Sequence, residues 1–290
     1  MLNMTAVLLA LLTFVGWGSG DVFGAITSRR IGALKASLTI TGFLTLLLLA
    51  MAPFMSTKGL GWSAGIQSAA LGLSLGVAYL AFTQALRIGN PAIVGTVSGS
   101  FTALTVILSL LFLGETLAVG QIFFIAIIVI GVTGASLDIR SLREHAVRLD
   151  RSVALSLVAM LGWGIYFTFM KIPISDAGWF WPTLISIASS WIMYAIVYAF
   201  KKRPAKPKQK QGRSLMFAFI TAIVGGGANV TYNIALAHGN VSVVAPIAGS
   251  YLILFVILAS RVFREPLTRQ QTAGIAISLC GIVGLSVLSS

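Results

Sequence analysis

The chain has 290 residues, 57% hydrophobic and 9% charged, with a formal net charge of +13 and a mean hydropathy of +0.96. Soluble domains carry about 25% charged residues, so this composition excludes a soluble globular fold, and its apolar content excludes disorder. The basic excess sits between apolar segments, which reads as a membrane-topology signal and excludes nucleic acid as a partner.

In chain order, Met1-Leu2-Asn3-Met4-Thr5 has no basic region and no clear small-residue cleavage site follows it, so the first apolar segment reads as a retained helix and not a signal peptide. Ten apolar runs follow: 3–24, 34–52, 65–86, 92–113, 118–137, 152–171, 180–200, 214–236, 241–261 and 269–288. Each approaches or exceeds the roughly 20 residues that a spanning helix needs, and they are too long and evenly apolar for barrel strands. The predicted fold class is an all-α integral membrane protein of ten transmembrane helices. The single cysteine, Cys280, lies in an apolar run, so no internal disulfide forms.

Of the 20 Lys and Arg residues, all but Lys58 and Lys171 follow odd-numbered segments. The positive-inside rule then places the odd loops in the cytoplasm and both termini outside. Trp62, Trp179 and Trp181 fall in the even loops, as an outer aromatic belt does. The densest basic stretch, from Lys201 to Lys210, is read as a solvated topology signal, with anionic lipid headgroups as the alternative contact.

The sequence repeats. Ala85-Leu86-Arg87-Ile88-Gly89-Asn90 matches Ala235-Leu236-Ala237-His238-Gly239-Asn240. The match runs on through Val94/Val244, Gly99/Gly249, Ser100/Ser250, Glu115/Glu265, Gly131/Gly281 and Gly134/Gly284, and Gly16-Trp17-Gly18 echoes Gly162-Trp163-Gly164. The division is a first repeat at 1–137, a cytoplasmic linker at 138–151 and a second repeat at 152–290. Five spans per half is an odd number, so the second copy is inverted relative to the first. Inverted repeats are a mark of secondary transporters, in which two bundles rock about a central site.

Two five-helix halves, each with an Ala-Leu-x-x-Gly-Asn hairpin and a Glu after the fourth helix, resemble the drug/metabolite transporter superfamily in its ten-helix, EamA-type branch. The resemblance covers nearly the whole chain. It implies a prokaryotic plasma-membrane transporter with a cavity between the halves, exporting amino acids or other metabolites, or carrying sugars or nucleotide sugars. The second copy fits the pattern better: Pro246 lies inside the ninth helix, where the first copy has Thr96.

Asp21 is the one acidic residue inside a predicted span, about 12 Å along the helix before Arg29. A carboxylate at membrane depth marks a cavity or a partner. It is the candidate for binding a substrate amine and for carrying a coupling proton; the alternative is an early helix end capped by Asp21 near Arg29 or Arg30. Trp17 lies one turn before it. Tyr79 and Thr83 on the third helix, Trp163 and Tyr166 on the sixth, and Asn229, Tyr232 and Asn233 on the eighth form polar-aromatic faces. They are candidate substrate-binding residues, weighed against helix–helix hydrogen bonding. Gly225-Gly226-Gly227 suits a close approach or a local helix break. Gly89, Gly239 and Pro246 are candidate hinges, and Glu115 and Glu265 candidates for capping and gating contacts. His238, at a hairpin end, reads as structural.

No phosphate-binding Gly-x-x-x-x-Gly-Lys-Ser/Thr, no His-Glu-x-x-His, no cysteine cluster and no potassium-filter motif occurs. Neither a metal nor a cofactor is expected, and no clustered groups suit a membrane enzyme. The sequence therefore reads as a secondary transporter exporting small metabolites by alternating access, with amino acids, aromatic or otherwise amphipathic ones among them, as the leading substrate class and either a proton gradient through Asp21 or downhill facilitation as the driving force. A sugar or nucleotide-sugar carrier and a lipid flippase are the alternatives. The expected partners are a small-molecule substrate and membrane lipids; the oligomeric state is left open.

Overall fold

The computed structural model describes residues 4–57, 59–88, 91–136, 151–200, 211–263 and 267–289. The described residues are helical apart from short turns, and ten of their helices are long and apolar enough to cross a membrane. The first five are α1 (Met4–Ile31), α2 (Ala33–Met51, extended by a 3-10 turn at Ala52–Phe54), α3 (Trp62–Ile88), α4 with α5 (Pro91–Gly99, Phe101–Phe112) and α6 (Val119–Ser136). The second five are α7 with α8 (Arg151–Phe169, Lys171–Ala177), α9 (Phe180–Phe200), α10 with α11 (Gln211–Thr221, Gly227–His238), α12 with α13 (Val241–Gly249, Tyr251–Phe263) and α14 (Arg269–Leu288).

Most of these helices turn one face outward and one to their neighbours, whereas α12 is buried all round. On α1, Leu8, Leu12 and Val15 are exposed at i, i+4 and i+7, whereas Ala6, Ala10, Thr13, Trp17 and Gly20 lie on the buried face. Without a hydrophobic drive between helices in lipid, small residues let backbones approach, and that is what the buried face supplies.

The two halves are interwoven. Helix α1 packs on the eighth span and on α13, and α7 packs on α3 and α5. These contacts repeat residue by residue. A Cβ on Gly16 would lie 2.7 Å from Ala228 Cβ, and one on Gly162 would lie 2.9 Å from Ala78 Cβ. Gly18 faces Leu254 as Gly164 faces Leu104. In each pair the partners are the residues that the sequence repeat equates, so the repeat is present in the packing as well as in the letters. Outside this pair of crossings, α6 and α14 pack closely through Gly131 against Ser278 and Gly281 against Ile128.

The fourth and ninth spans are both broken at the same place, after Gly99 and after Gly249, with Ser100 and Ser250 between the half-helices. Ser100 Oγ donates to the carbonyl of Thr96 and Ser250 Oγ to that of Pro246, at 3.0 and 2.6 Å. The half-helices α5 and α12, nearer Glu115, pack on each other, whereas α4 and α13 scarcely touch among the described residues. The two broken spans thus cross closed at one end of the bundle and splay at the other, the end that carries Arg29, Arg151, Arg261 and Arg269.

The first helix runs straight through Asp21 to Ile31, well past the predicted end at 24. This removes the alternative in which Asp21 caps an early helix end. Gly225-Gly226-Gly227 does both things its composition allowed: a π-helical turn spans Ala222–Gly226, and Gly225 meets Gly20 backbone to backbone. Gly89, Asn90, Lys58, Glu265 and the basic stretch 201–210 lie outside the described residues.

Candidate functional site

Midway along the bundle, Trp17, Asp21, Tyr79, Phe101, Trp163, Phe167 and Tyr251 line a cavity of about 260 Å³ including its opening. The room free inside it is that of about one water molecule, against the hundreds of Å³ that ligand pockets offer, so the cavity is collapsed in this conformation. Six of its seven lining residues are aromatic, the seventh is a carboxylate, and among the described residues no basic side chain lines it.

The wall is built from both repeats. Trp17 and Trp163 are equivalent in the sequence repeat, as are Phe101 and Tyr251. Trp17 meets Tyr251 edge-on, centroids 5.5 Å apart at 73°, and Trp163 meets Phe101 at 5.5 Å and 71°. Behind them Trp17 stacks on Tyr232 at 5.4 Å, and Trp163 tilts on Phe82 at 5.1 Å. Edge-to-face packing of this kind adds about 0.5–1.5 kcal/mol per pair beyond burial and fixes ring orientation. The helix breaks explain the placement of Phe101 and Tyr251, each of which opens a half-helix just past its Gly-Ser pair. Phe167 stands in the second repeat where Asp21 stands in the first. The carboxylate is therefore the one charged member of an aromatic box that is two-fold in its Trp17/Trp163 and Phe101/Tyr251 pairs and departs from symmetry at Asp21/Phe167 and at Tyr79, whose counterpart Asn229 does not line it.

Asp21 sits on a helix interior, partly buried, with no hydrogen-bond or ion-pair partner among the described residues. Such a group at membrane depth calls for a solute, a proton or water. Of the other residues singled out in the sequence, Trp17, Tyr79 and Trp163 reach the cavity wall. The remaining five are held in helix packing instead. Tyr166 bonds Ser186 Oγ at 3.4 Å, Tyr232 donates to the Phe167 carbonyl at 3.2 Å, and Asn233 donates to Thr183 Oγ1 at 2.8 Å. Thr83 donates to the Leu80 carbonyl and Asn229 to that of Gly225. A buried donor takes an acceptor within reach: for Thr83 and Asn229 a carbonyl of their own helix, for Tyr166, Tyr232 and Asn233 a group on a neighbouring one.

Phe101, Phe167 and Tyr251 escaped the sequence reading. The repeat holds the signal for them: Phe101 and Tyr251 follow the paired Gly-Ser, and Phe167 is the counterpart of Asp21.

A second cluster lies at the Glu115 end. The Glu115 carboxylate accepts from the backbone N–H groups of Val241 and Ser242 at 2.7 and 2.8 Å, so a residue of the first repeat caps the N-terminus of α12 in the second. Lys171 Nζ donates to the Leu236 carbonyl and, at 2.9 Å, to that of Gly239. The two charges thus hold both sides of the turn between α11 and α12, each with the sign that its helix end favours. Gly239 has extended backbone there, and Pro246 lies buried inside α12, one turn before the break at Ser250.

The sequence model of the EamA-like transporter family matches residues 4–137 and again residues 151–287. A solved crystal structure of a protein superposes with a TM-score of 0.78 over 98% of each chain at 16% identity, a likeness that establishes the fold alone. No curated protein sequence matches this chain. The family consists of membrane transporters of small molecules and not of enzymes. With two matches that together span nearly all of its length, the chain belongs to the EamA-like transporter family.

Proposed function

We propose that this transporter exports small amphipathic metabolites bearing an ammonium group, amino acids foremost, across a prokaryotic plasma membrane with the Glu115 end outside and both termini outside. The observation that carries this reading is Asp21, an unpaired carboxylate set among aromatic rings. A carboxylate favours a cationic nitrogen, and aromatic faces add cation–π attraction of about 0.5–2 kcal/mol per ring where water is excluded. The same box disfavours nucleotide sugars, whose phosphates need basic side chains that its wall lacks. Alternating access rests on the broken fourth and ninth spans, which cross closed at one end and splay at the other. Asp21 serves as the proton site, exchanging a proton for the substrate ammonium.

The test is uptake into proteoliposomes over a panel of amino acids, aromatic amines, sugars and nucleotide sugars, with and without an imposed pH gradient. The expected result is transport of amino acids or amines that depends on Asp21 and collapses in Asp21→Asn. Transport confined to sugars or nucleotide sugars, or undiminished in Asp21→Asn, would refute the reading.

A further inference from the structure

The cavity holds a second pair of groups besides Asp21. Among the described residues, Trp17 Nε1 and Trp163 Nε1 are the only buried side-chain nitrogens without a hydrogen-bond partner, and both tryptophans line this cavity. The two side chains are 5% and 4% exposed, so bulk water does not serve them. An unmade hydrogen bond on a buried donor is costly, and nearly all buried donors find a partner. The buried Asn233 amide does, on Thr183, and so does the half-buried Trp181 indole, on the Ser56 carbonyl; the other buried side-chain atoms without a partner among the described residues are oxygens, and none of their residues lines this cavity. Two donors left unserved, at positions that the repeat equates, on the wall of one cavity, call for an acceptor that arrives from outside the protein.

We infer that the Trp17 and Trp163 indole N–H groups form the acceptor subsite of the transported solute, receiving its carboxylate while Asp21 receives its ammonium. The inference rests on the cationic reading of Asp21 and adds to it the other half of the substrate. Indole donates and does not accept, so the pair selects an acceptor group. It carries no charge, so it takes a carboxylate without forming an ion pair with Asp21 when the site is empty, which a lysine or arginine in its place would do. The site thereby offers a zwitterion one charged and two neutral contacts inside an aromatic box. Because Trp17 belongs to the first repeat and Trp163 to the second, a carboxylate held by both ties the solute across the two bundles that rock.

The discriminating probes are phenylalanine and phenethylamine, which differ by the carboxylate alone. Each is transported by wild-type protein, Trp17→Phe and Trp163→Phe in proteoliposomes, and the readout is the ratio of the two KM values. Loss of a hydrogen bond to a charged group predicts that KM for phenylalanine rises about tenfold more than KM for phenethylamine in at least one variant. Equal weakening of both probes assigns the indoles to ring packing and overturns the inference, while loss of both in Asp21→Asn would still uphold the cationic reading. Wild-type transport of phenethylamine without phenylalanine overturns the inference alone; transport of neither overturns both. Should a phenylalanine variant fail to fold, a benzothiophene isostere of the indole keeps the bicyclic ring without the N–H, and the same ratio is read.

Discussion

Glu115 and Val241, 126 positions apart in the chain, are joined by a 2.7 Å hydrogen bond from the Val241 N–H to the Glu115 carboxylate, with Ser242 N–H beside it. The bond links the end of the fourth span to the start of the ninth, the two spans whose half-helices are packed here and splayed at the opposite end. It therefore ties the closed side shut. Removing a helix N-cap costs about 0.5–2 kcal/mol. If closed and open forms are balanced within a few kcal/mol, that loss moves their ratio up to about thirtyfold. Spin labels on the exposed positions Leu111 and His238 should report a longer distance population in Glu115→Ala than in the wild-type background. An unchanged distance distribution would make Glu115 a local cap with no part in closure.

Gly20 and Gly225 meet one residue from Asp21, and the contact is tight. A Cβ on Gly20 would lie 2.6 Å from the Gly225 nitrogen, a backbone atom that cannot swing aside. Gly20→Ala is expected to force α1 from the eighth span and to cost about 1–3 kcal/mol, as overpacking does. Gly227, two residues along, faces open space, so Gly227→Ala should be neutral or stabilising by up to about 1 kcal/mol through helix propensity. Thermal unfolding in detergent, followed by size-exclusion chromatography, separates the two. Equal melting temperatures would show that the crossing tolerates a wider approach.

The number of spans was legible because lipid imposes a length and an apolar composition on every helix, and because the repeat fixed the correspondence of the halves. The same matched letters held more than was taken from them. Gly99-Ser100 and Gly249-Ser250 are among the pairs that the repeat identifies, and the spans break there although neither dipeptide is a strong helix-breaking signal. Pro246 bears the stronger local signal and lies one turn away. Asp21, Trp17, Tyr79 and Trp163 were legible as candidates for the cavity wall because a charge or a ring with a polar atom is conspicuous at membrane depth. Phe101 and Phe167 were not, since a phenylalanine in an apolar span looks like core until the fold turns it toward a cavity. Conversely Tyr166, Tyr232 and Asn233 carry the right chemistry, but helix rotation gives their polar atoms to Ser186, the Phe167 carbonyl and Thr183.

The orientation proposed from charge placement has a direct test. Gly61 and Gly212 are exposed, at opposite ends of the bundle, and a Cβ at either meets no atom within 4 Å, so a cysteine fits at both without repacking. Removing Cys280 first leaves each engineered thiol alone. An impermeant maleimide applied to intact cells should label Gly61→Cys and should label Gly212→Cys only after permeabilisation. The opposite pattern would invert the topology and place the Glu115 closure on the cytoplasmic side.

The last expectation concerns pH and the sign of coupling. Asp21 binds an ammonium only as a carboxylate, so protonation and substrate binding compete for the same oxygens. Acidification must then weaken amine binding, in a range where the amine itself stays charged. A charge-assisted hydrogen bond contributes about 1.5–3 kcal/mol, so full protonation should raise the Kd at least about tenfold. In a cell whose exterior is more acidic, the outward-open form would take up a proton and release its substrate. The inward-open form would lose that proton to the cytoplasm and bind again, so one proton enters for each substrate expelled. Phenethylamine binding to purified protein, measured calorimetrically over a pH series, should weaken steadily as pH falls. In Asp21→Asn, which keeps the size and hydrogen-bonding capacity of the side chain but cannot titrate, binding should be weak and flat across the series. A wild-type profile as flat as that of the variant would remove competition at Asp21, and with it the basis for proton-driven export by this residue.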